Sequence, residues 1–314
     1  MELEVIRKVD AHQLDHLKVL FDDVHAHDHH DALGEHKWLD LIHGGRPGFA
    51  GVIAKETGHD HPVGYAHLSR HERKGGAEWG LEMVVHPEHR GVGVEVAVAE
   101  RALELVREAG GGHLHMWVFQ PTEIHDGIAH RLGFTRGRDL IHMSVPLPPR
   151  AEADLPAGVT IRPFEIDRDE RAWLDLNNRA FEHHPEQGAW DAETLRRRMT
   201  FEWFDAGDLL LAVDPDGEIV GSNWTKLDHD RGIGEIYVLA VDPERHGGGL
   251  GRALSLAGLE HMADRGMTEG HLYVDSANDA ALKMYSSIGF SSDHRDRAYV
   301  IDIPGGPGPE LNPR

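Results

Sequence analysis

The sequence predicts a mixed α/β protein built from two copies of one domain. The chain has 314 residues, about twice the ~150 residues of a typical domain. One pattern recurs at a constant offset of 156 residues, because Val85-His86-Pro87 matches Val241-Asp242-Pro243 and Leu132-Gly133-Phe134 matches Ile288-Gly289-Phe290. In each copy a strand, a helix and antiparallel strands precede a strand-loop-helix-strand-helix series, which is typical of a mixed sheet flanked by helices.

The repeat sets the expected domain boundaries. We expect an N-terminal domain over residues 1–145, a linker over 146–158 and a C-terminal domain over 159–303. Proline-rich sequence from Pro146 to Glu152 places the linker. The proline- and glycine-rich residues 304–314 predict a flexible tail.

Composition excludes several classes of protein. Apolar residues make up 40% of the chain, which is enough for two cores and too much for a disordered protein. The 32 basic and 54 acidic residues give a net charge of −22, so the surface repels nucleic acids and anionic membranes. Cysteine is absent, which excludes disulfides, thiolate nucleophiles and cysteine-bound zinc.

The same reading sets expectations for location and partners. The chain has no run of 18 apolar residues, and its first residues lack the pattern of a signal peptide. We expect a cytoplasmic monomer that acts on a small molecule, without a nucleic-acid or membrane partner.

The second copy is predicted to start with a strand and a helix. The strand covers residues 160–163, and Asp167 with Glu170 resembles a capping box at the start of the helix. The apolar face of the helix is then given by residues at helical spacing: Trp173, Leu176 and Ala180.

Antiparallel strands are predicted next. Residues 209–213 and 218–222 are strand-like, and the turn sequence Asp214-Pro215-Asp216-Gly217 between them predicts a hairpin. A strongly apolar strand follows over residues 235–241.

The copy ends with two helices around a strand. A glycine-rich loop precedes a helix over 252–265 and a strand over 271–274. Asn278 is an expected N-cap, and Gly289 closes the last helix. One face of that helix carries Ala281, Tyr285 and Ile288.

The glycine-rich loop between residues 241 and 254 is the most specific signal. Glycines between a strand end and a helix start let backbone N–H groups converge on an anion, and the helix dipole adds to the attraction. A pyrophosphate would suit such a loop, whereas a tight turn without a ligand is the alternative. The loop is not a Walker loop, because no Gly-Lys-Ser/Thr sequence follows.

Two motifs resemble those of the GNAT acetyltransferases. Val241-Asp242-Pro243 followed by Gly249 and Gly251 is similar to motif A of that family, and Asn278 to Phe290 is similar to motif B. The resemblance implies two tandem GNAT domains, each with a splayed sheet, and acetyl-CoA as co-substrate without a metal. The pantetheine arm would lie between the strands over 235–241 and 270–274.

The resemblance also implies which residues bind acetyl-CoA. In the second copy they are Leu239, Ala240, Val241, His246, Gly247, Gly248, Gly249, Leu250, Gly251, Arg252, Asn278, Asp279, Ala280, Ala281, Leu282 and Lys283. In the first copy they are Met83, Val84, Val85, Gly91, Val92, Gly93, Val94, Glu95 and Val96. His246 stands where the family usually has Gln or Arg.

A closer resemblance, over essentially the whole chain, is to the mycothiol synthase family of actinobacteria. It is carried by the segments 181–188, Trp224-Thr225-Lys226, 234–238 and Leu272-Tyr273-Val274. The implied acceptor is the cysteinyl amine of 1D-myo-inositol 2-(L-cysteinylamino)-2-deoxy-α-D-glucopyranoside, and the implied product is mycothiol. The implied substrate-binding residues are Glu35, Glu186, Lys226, Glu235 and Tyr273, of which Glu35 belongs to the first copy.

Two residues are candidates for proton transfer. Glu235 begins the strand that ends at the loop and could take the ammonium proton, although it could also be a solvated acid. Tyr285 could protonate the leaving thiolate, although it could also fill the core. The backbone N–H near Leu239 is a candidate to polarise the thioester carbonyl.

The first copy lacks these groups at the offset of 156. Trp79 stands at the position of Glu235, Ala129 at that of Tyr285, and Glu95 at that of Gly251. A carboxylate in the loop repels a pyrophosphate, so we expect the N-terminal domain to be catalytically inactive.

Several alternatives stay open. The histidines around Asp28 and the pair His183-His184 suggest a metal site, but consecutive residues rarely face one ion and acetyl transfer needs none. Besides mycothiol synthesis, the chain could acetylate another small-molecule or peptide amine, or it could be an acetyl-CoA sensor without activity.

Overall fold

The chain divides into two compact units, which are described separately. The computed structural model describes residues 1–28, 30–45, 47–73, 76–182 and 190–305, without the side chains of residues 35, 36, 72 and 73. One unit contains Met1–Asp139 together with the residues from Arg295, and the other contains Leu140–His294. Residues 295–303 end the second copy in sequence, yet they belong to the first unit. Nearly all of the predicted tail, from residue 306, lies outside the described residues.

The first half of the chain supplies six strands and four helices among the described residues. In order they are β1 (Glu2–Ile6), α1 (Ala11–Asp28), α2 (Glu35–Ile42), β2 (Phe49–Lys55), β3 (Pro62–Arg73), β4 (Gly76–Val85), α3 (Val94–Glu108), β5 (Gly112–Val118), α4 (Glu123–Arg131) and β6 (Thr135–Pro146).

The second half repeats this order. Its elements are β7 (Thr160–Pro163), α5 (Glu170–Ala180), α6 (Ala192–Arg198), β8 (Leu209–Val213), β9 (Ile219–Asp228), β10 (Ile233–Val241), α7 (Leu250–Asp264), β11 (Glu269–Asp275), α8 (Asp279–Ser287) and β12 (Ser291–Ile303). None of the helices in the described part of the chain has the length and apolar character needed to cross a membrane.

Each unit has a mixed sheet that takes one strand from the other half of the sequence. In the first unit the order is β1-β2-β3-β4-β5-β12, and in the second it is β7-β8-β9-β10-β11-β6. The central pairs β4–β5 and β10–β11 are parallel. Residues 297–303 of β12 pair with β5, and residues 140–146 of β6 pair with β11. The sequence copies and the compact units therefore differ by an exchange of their last strands.

The start of α5 differs from the predicted capping box. The N-cap is Asp169 and not Asp167. The carboxylate of Asp169 accepts hydrogen bonds from the Arg162 guanidinium at 2.8 Å and from the backbone N–H of Glu165 at 2.9 Å, which draws the chain into the helix at this point. Only the second half of the box forms, because the side chain of Glu170 accepts the N–H of Asp167.

The other predicted elements of the second copy are confirmed. The β8–β9 hairpin closes through Asp214, whose carboxylate accepts the N–H groups of Asp216 and Glu218. Alternate residues of β10 are buried, as in an amphipathic strand. The buried face of the sheet packs on α7 through Ile236 and Leu272, which join Leu259 in one core cluster. On the opposite face, the first parts of β10 and β11 carry the polar side chains Glu235, Glu269 and His271, and we call this part the polar face. Beyond the bulge, Val238 and Ala240 of β10 pack in a core cluster with Trp173.

Candidate functional site

The parallel pair β10–β11 separates in the middle of the second unit. Their register runs only from Ile233–Glu269 to Ile236–Leu272, although both strands continue. On its other edge β10 stays paired with β9 up to Val241, with a bulge at Tyr237. The sheet is therefore splayed at the predicted place, and the backbone of Leu239 lies beyond the last β10–β11 pair.

The glycine-rich loop follows the end of β10. Gly247 and Gly249 have φ values of 80° and 81°, and Gly249 is the N-cap of α7. A Cβ atom at either glycine would meet nothing within 4 Å, so the loop opens onto free space. Backbone N–H groups at such a helix start suit a pyrophosphate. The residues present therefore fit the phosphate end of acetyl-CoA.

Ion pairs stabilise the residues that precede the glycines of this loop. The carboxylate of Asp242 accepts the N–H of Glu244 at 3.0 Å and a hydrogen bond from Arg179 at 2.7 Å. The Arg245 guanidinium donates to buried Asp214 at 2.8 Å. His246 Nε2 lies 3.3 Å from the carbonyl oxygen of Val241.

The loop of the first unit has the same backbone but carries its own carboxylate. Gly91 and Gly93 have φ values of 74° and 101°. Oε1 of Glu95 accepts the N–H of Gly91 at 2.7 Å, so a carboxylate already uses a donor that a pyrophosphate would need. Arg90 donates to Asp28 at 2.9 and 2.6 Å, which lowers the pKa of that carboxyl to about 2.

Three of the predicted substrate residues lie on the polar face of the second sheet. Glu235 is the register partner of Lys226 on β9 and of His271 on β11. Side chains at register positions of adjacent strands share a face. Tyr273, two residues after His271, therefore lies on this face too, and 43% of it is exposed. Lys226 Nζ lies 5.1 Å from the centre of the Trp203 ring.

The side chains of the other two predicted substrate residues, Glu35 and Glu186, lie outside the described part of the chain. Glu186 lies outside the described residues, as do His183 and His184. Glu35 begins α2, but its side chain is outside the described part of the chain.

Tyr285 is buried on α8. The side chain of Asn278 caps this helix, as predicted, by accepting the N–H of Ala281 at 3.1 Å. Tyr285 is 7% exposed, and its ring meets the ring of Phe290 edge-on at 5.5 Å. Burial raises the pKa of the Tyr285 phenol, so the phenol is protonated at neutral pH. It belongs to the core, and it also has the protonation state that a proton donor needs.

The first unit has a lysine where the second has Glu235. Gly80 pairs with His115 in the first unit, and Glu235 pairs with His271 in the second; each is the third pair of its parallel register. Gly80 is therefore the structural counterpart of Glu235. Trp79, at the offset of 156, is instead buried, and its Nε1 donates to Gly111. The expected correspondence was therefore wrong by one residue, because only β10 carries the bulge at Tyr237.

Lys37 fills the space beside Gly80. Its Nζ lies 2.9 Å from the point where a Cβ on Gly80 would be, and it donates to Ser69 at 2.9 Å. The lysine is 3% exposed and lies 3.7 Å from Glu82. Ala129, the counterpart of Tyr285, has no polar group. An ammonium thus occupies the position of the candidate base in the first unit.

Histidines of the second unit were missed by the sequence analysis. His142 Nε2 lies 3.2 Å from His271 Nδ1, and His142 is the register partner of Tyr273. His271 had a signal, since it lies two residues before Tyr273 in a strand next to Glu235. His142 had none, because it lies at the end of the first copy in sequence although it belongs to the second unit. Among the described residues no group of three or more His, Asp or Glu side chains is arranged to hold a metal ion.

Comparison with known proteins agrees with this geometry. The model of the Acetyltransferase (GNAT) family matches twice, over residues 13–134 and 171–290. Two solved structures share the fold over 98% of this chain, both with a TM-score of 0.73. One is a GCN5-related N-acetyltransferase from Sphaerobacter thermophilus, at 23% identity and 98% coverage of that chain. The other is a tandem GNAT protein from the clavulanic acid biosynthesis pathway, at 18% identity and 100% coverage.

Closer relatives carry one name. The mycothiol acetyltransferase of Acidimicrobium ferrooxidans is 38% identical over 312 aligned residues, which cover 96% of this chain and 98% of the relative. That of Thermomonospora curvata is 44% identical over 243 residues, or 77% of each chain. With both GNAT matches in place, the chain belongs to the GNAT acetyltransferase family and, within it, to the mycothiol acetyltransferases.

Proposed function

We propose that the chain transfers the acetyl group of acetyl-CoA to the cysteinyl amine of 1D-myo-inositol 2-(L-cysteinylamino)-2-deoxy-α-D-glucopyranoside, giving mycothiol. The relatives' shared name motivates the substrate. The observation that carries the proposal is the second unit, where an open glycine loop, a splayed strand pair and Glu235 occur together. The reaction class is acyl transfer by an acetyl-CoA-dependent enzyme.

Acetyl-CoA supplies the activated acetyl group when it is bound. The N–H groups around Gly247 and Gly249 bind its pyrophosphate, and the dipole of α7 adds positive potential at the same place. Beyond Ile236 the parted strands leave room for the pantetheine arm. The N–H of Leu239 donates to the carbonyl oxygen on which negative charge develops.

Two side chains move protons. A carboxylate oxygen of Glu235 takes a proton from the substrate ammonium, which frees the lone pair of the amine. Oη of Tyr285 gives a proton to the sulfur that leaves. Because burial raises the pKa of that phenol, Tyr285 keeps its proton until the thiolate forms.

The polar face of the second sheet binds the acceptor. Lys226 donates to ring hydroxyls, and its ammonium is held against Trp203. Tyr273, which is largely accessible, contacts the cysteinyl group. Glu35 and Glu186 are proposed as further acceptors of substrate hydrogen bonds on the resemblance alone.

The first copy, residues 1–145, has no part in the chemistry. Glu95 takes the place of the pyrophosphate and Lys37 that of the base. Residues 159–303 form the catalytic copy, and 146–158 join the two. Since acetyl-CoA is a cytosolic metabolite, we place the enzyme in the cytoplasm, as a monomer without a metal.

The test is a product analysis. The full chain is incubated with acetyl-CoA and the cysteinyl precursor, and the product is identified by mass spectrometry. A precursor whose thiol is blocked by alkylation distinguishes N-acetylation from S-acetylation, and a precursor without the cysteinyl group is the negative control. Acetylation of the blocked precursor supports the proposal. Turnover of other amines but not of this one would reassign the substrate, and no turnover of any amine would favour the sensor.

A further inference from the structure

A histidine array lies beside Glu235 in the second unit. His142 is 7% exposed, and its Nδ1 lies 3.1 Å from Oδ2 of Asp293. Its Nε2 lies 3.2 Å from Nδ1 of His271. The His142 ring stacks on His294 at 4.4 Å and tilts against Tyr273 at 4.9 Å. The ring is thus enclosed on several sides, and a polar atom lies within 3.2 Å of each of its nitrogens.

These contacts favour one tautomer along the array. Oδ2 of Asp293 lies 3.1 Å from Nδ1 of His142 and a carboxylate can only accept, so we assign the proton of the neutral ring to Nδ1. Burial, reinforced by the neighbouring His294 and His271, lowers the pKa of His142 to about 4, so the ring is neutral at pH 7. Its Nε2 is then an acceptor, and Nδ1 of His271 must donate to it.

This order places the lone pair of a neutral His271 ring on Nε2. Within the described residues this atom is buried and has no hydrogen-bond partner of good geometry. Oε1 of Glu269, whose side chain is 46% exposed, lies 3.4 Å away. Among the described residues, a buried ring nitrogen without a hydrogen bond thus lies beside a carboxylate that reaches solvent.

The first unit shows how far a histidine at this register position can reach. Gly80 and His115 are register partners there, as Glu235 and His271 are here. Nε2 of His115 lies 3.2 Å from the position of a Cβ atom on residue 80. An imidazole at this position can therefore lie over the neighbouring strand, where the second unit has Glu235.

The reaction of the proposed function, on which this inference rests, needs a proton outlet. The substrate ammonium loses two protons when it becomes an amide, and only one is taken up by the CoA sulfur. The other must leave the site, and Glu235 must become a carboxylate again before the next turnover.

We propose that His271 is a second proton-transfer residue of this site, working with Glu235. His142 and Asp293 are positioning residues, which hold the imidazole in one orientation and one tautomer. The proton passes from the substrate ammonium to Glu235 and then to the lone pair on Nε2 of His271. The imidazolium releases it to water past Glu269, and no further reactant is required.

Other charged and titratable groups face His271 from the packed strands. They are Glu269 and Tyr273 on its own strand, Glu235 on β10 with Lys226 beyond it, His142 on β6, and Asp293 and His294 on β12. A variant of His271 is therefore compared with wild type over the whole pH range and not at one pH.

The test uses the full chain and the cysteinyl precursor. His271→Asn keeps a donor near Nδ1 for His142 but has no basic nitrogen. We expect kcat/KM for the precursor to fall roughly 10²-fold at neutral pH, the acid limb of the pH profile to move, and the Kd for acetyl-CoA to stay the same. His115→Asn, the matched change in the first unit, should leave rate and profile unaltered.

A second pair of variants separates positioning from folding. His142→Phe keeps a ring but removes both ring nitrogens, so it should shift the acid limb. His142→Gln keeps an acceptor near Nε2 and should restore much of the rate. If His271→Asn does not fold, the two His142 variants test the proposal in its place.

Contrary outcomes are distinct from failure of the proposed function. If wild type acetylates the precursor and His271→Asn keeps both rate and pH profile, the role of His271 is wrong. Equal losses in the two His142 variants without a shifted acid limb would show a merely structural array. If wild type does not acetylate the precursor at all, the proposed function itself fails.

Discussion

Glu235 and Tyr285 are two acids that their surroundings make suitable for opposite tasks. Glu235 lies on a partly exposed polar face with Lys226 and His271 on the neighbouring strands. A carboxylate is ordinarily ionised at neutral pH and can accept a proton. Tyr285 lies in the core, where burial raises the pKa of the phenol. Environments that separate an acid from a base in this way are typical of proton-transfer sites.

We expect Glu235→Gln and Tyr285→Phe each to lower kcat by roughly 10²-fold or more at saturating acetyl-CoA. Each substitution preserves shape and removes only the transferable proton or its acceptor. The Kd for acetyl-CoA, measured by isothermal titration, should hardly change. Glu193→Gln, in an exposed ion pair on α6, is the control and should keep the wild-type kcat. Near-normal turnover in both site variants would remove these residues from the proton path.

At the scale of elements, the two glycine loops share a backbone but differ in what they offer an anion. Both place two glycines at positive φ before a helix. In the first unit Glu95 accepts the N–H of Gly91, whereas Gly251 at the corresponding position in the second has no side chain. The backbone geometry is thus common to both loops, and the side chain that follows decides whether the N–H of the first glycine is already bonded.

Gly249→Val should abolish acetyl-CoA binding. Gly249 has a φ of 81°, which a β-branched residue adopts only with strain, so the loop must change shape. Gly93→Val imposes the same conflict at φ 101° in the first loop and serves as the control. Isothermal titration and kcat should report loss in the first variant alone. Equal loss of activity in the second would show that the N-terminal loop takes part in catalysis.

Glu95→Gly should open the first loop. Removing the carboxylate frees the N–H of Gly91 and removes a negative charge from the position of a pyrophosphate. We expect a second, weaker acetyl-CoA binding event by isothermal titration, with kcat unchanged because Lys37 still occupies the position of the base. Glu95→Gln, which keeps an oxygen acceptor near Gly91, should open the loop less. A single binding event in Glu95→Gly would mean that other features close this loop.

At the scale of the whole molecule, the exchange of the last strands decides which fragment of the chain would fold on its own. Met143 and Val145 of β6 are buried in the same core cluster as Leu272 of β11. Burying one such aliphatic side chain is worth about 1.5–3 kcal/mol. A fragment cut between the sequence copies loses β6 and retains β12, whose residues 297–303 pair with β5.

We therefore expect residues 140–294 to form a better fragment than residues 158–303. A fragment that begins at residue 158 lacks β6, so it exposes the edge of β11 and the core beneath it. It also lacks His142. Cooperative thermal unfolding by circular dichroism and acetyl-CoA binding should be retained in the first fragment and weakened in the second. If the 158–303 fragment unfolded as cooperatively and bound as tightly, the exchanged strand would have no stabilising role.

Particular residues show how much of the structure could be predicted from the sequence. The loop around Gly249, the Asn278 cap and the hairpin at Asp214 are local features, so residue types and spacing predicted them. The correspondence of Glu235 with Trp79 failed because a bulge adds one residue to β10, and such an insertion is visible only from strand pairing. The start of α5 moved to Asp169 because Arg162, which precedes it on β7, binds that carboxylate.

By itself the sequence determined the repeat, the GNAT fold, the acetyl-CoA loop and the candidate acid and base, because each depends on patterns within a few tens of residues. Only the tertiary structure decided which strand completes each sheet, that Lys37 lies beside Gly80, that Glu95 accepts the N–H of Gly91, and that His142 contacts His271. His142 and His271 are 129 positions apart. Contacts between such distant positions depend on strand pairing and packing, on which the local pattern of residues has no bearing.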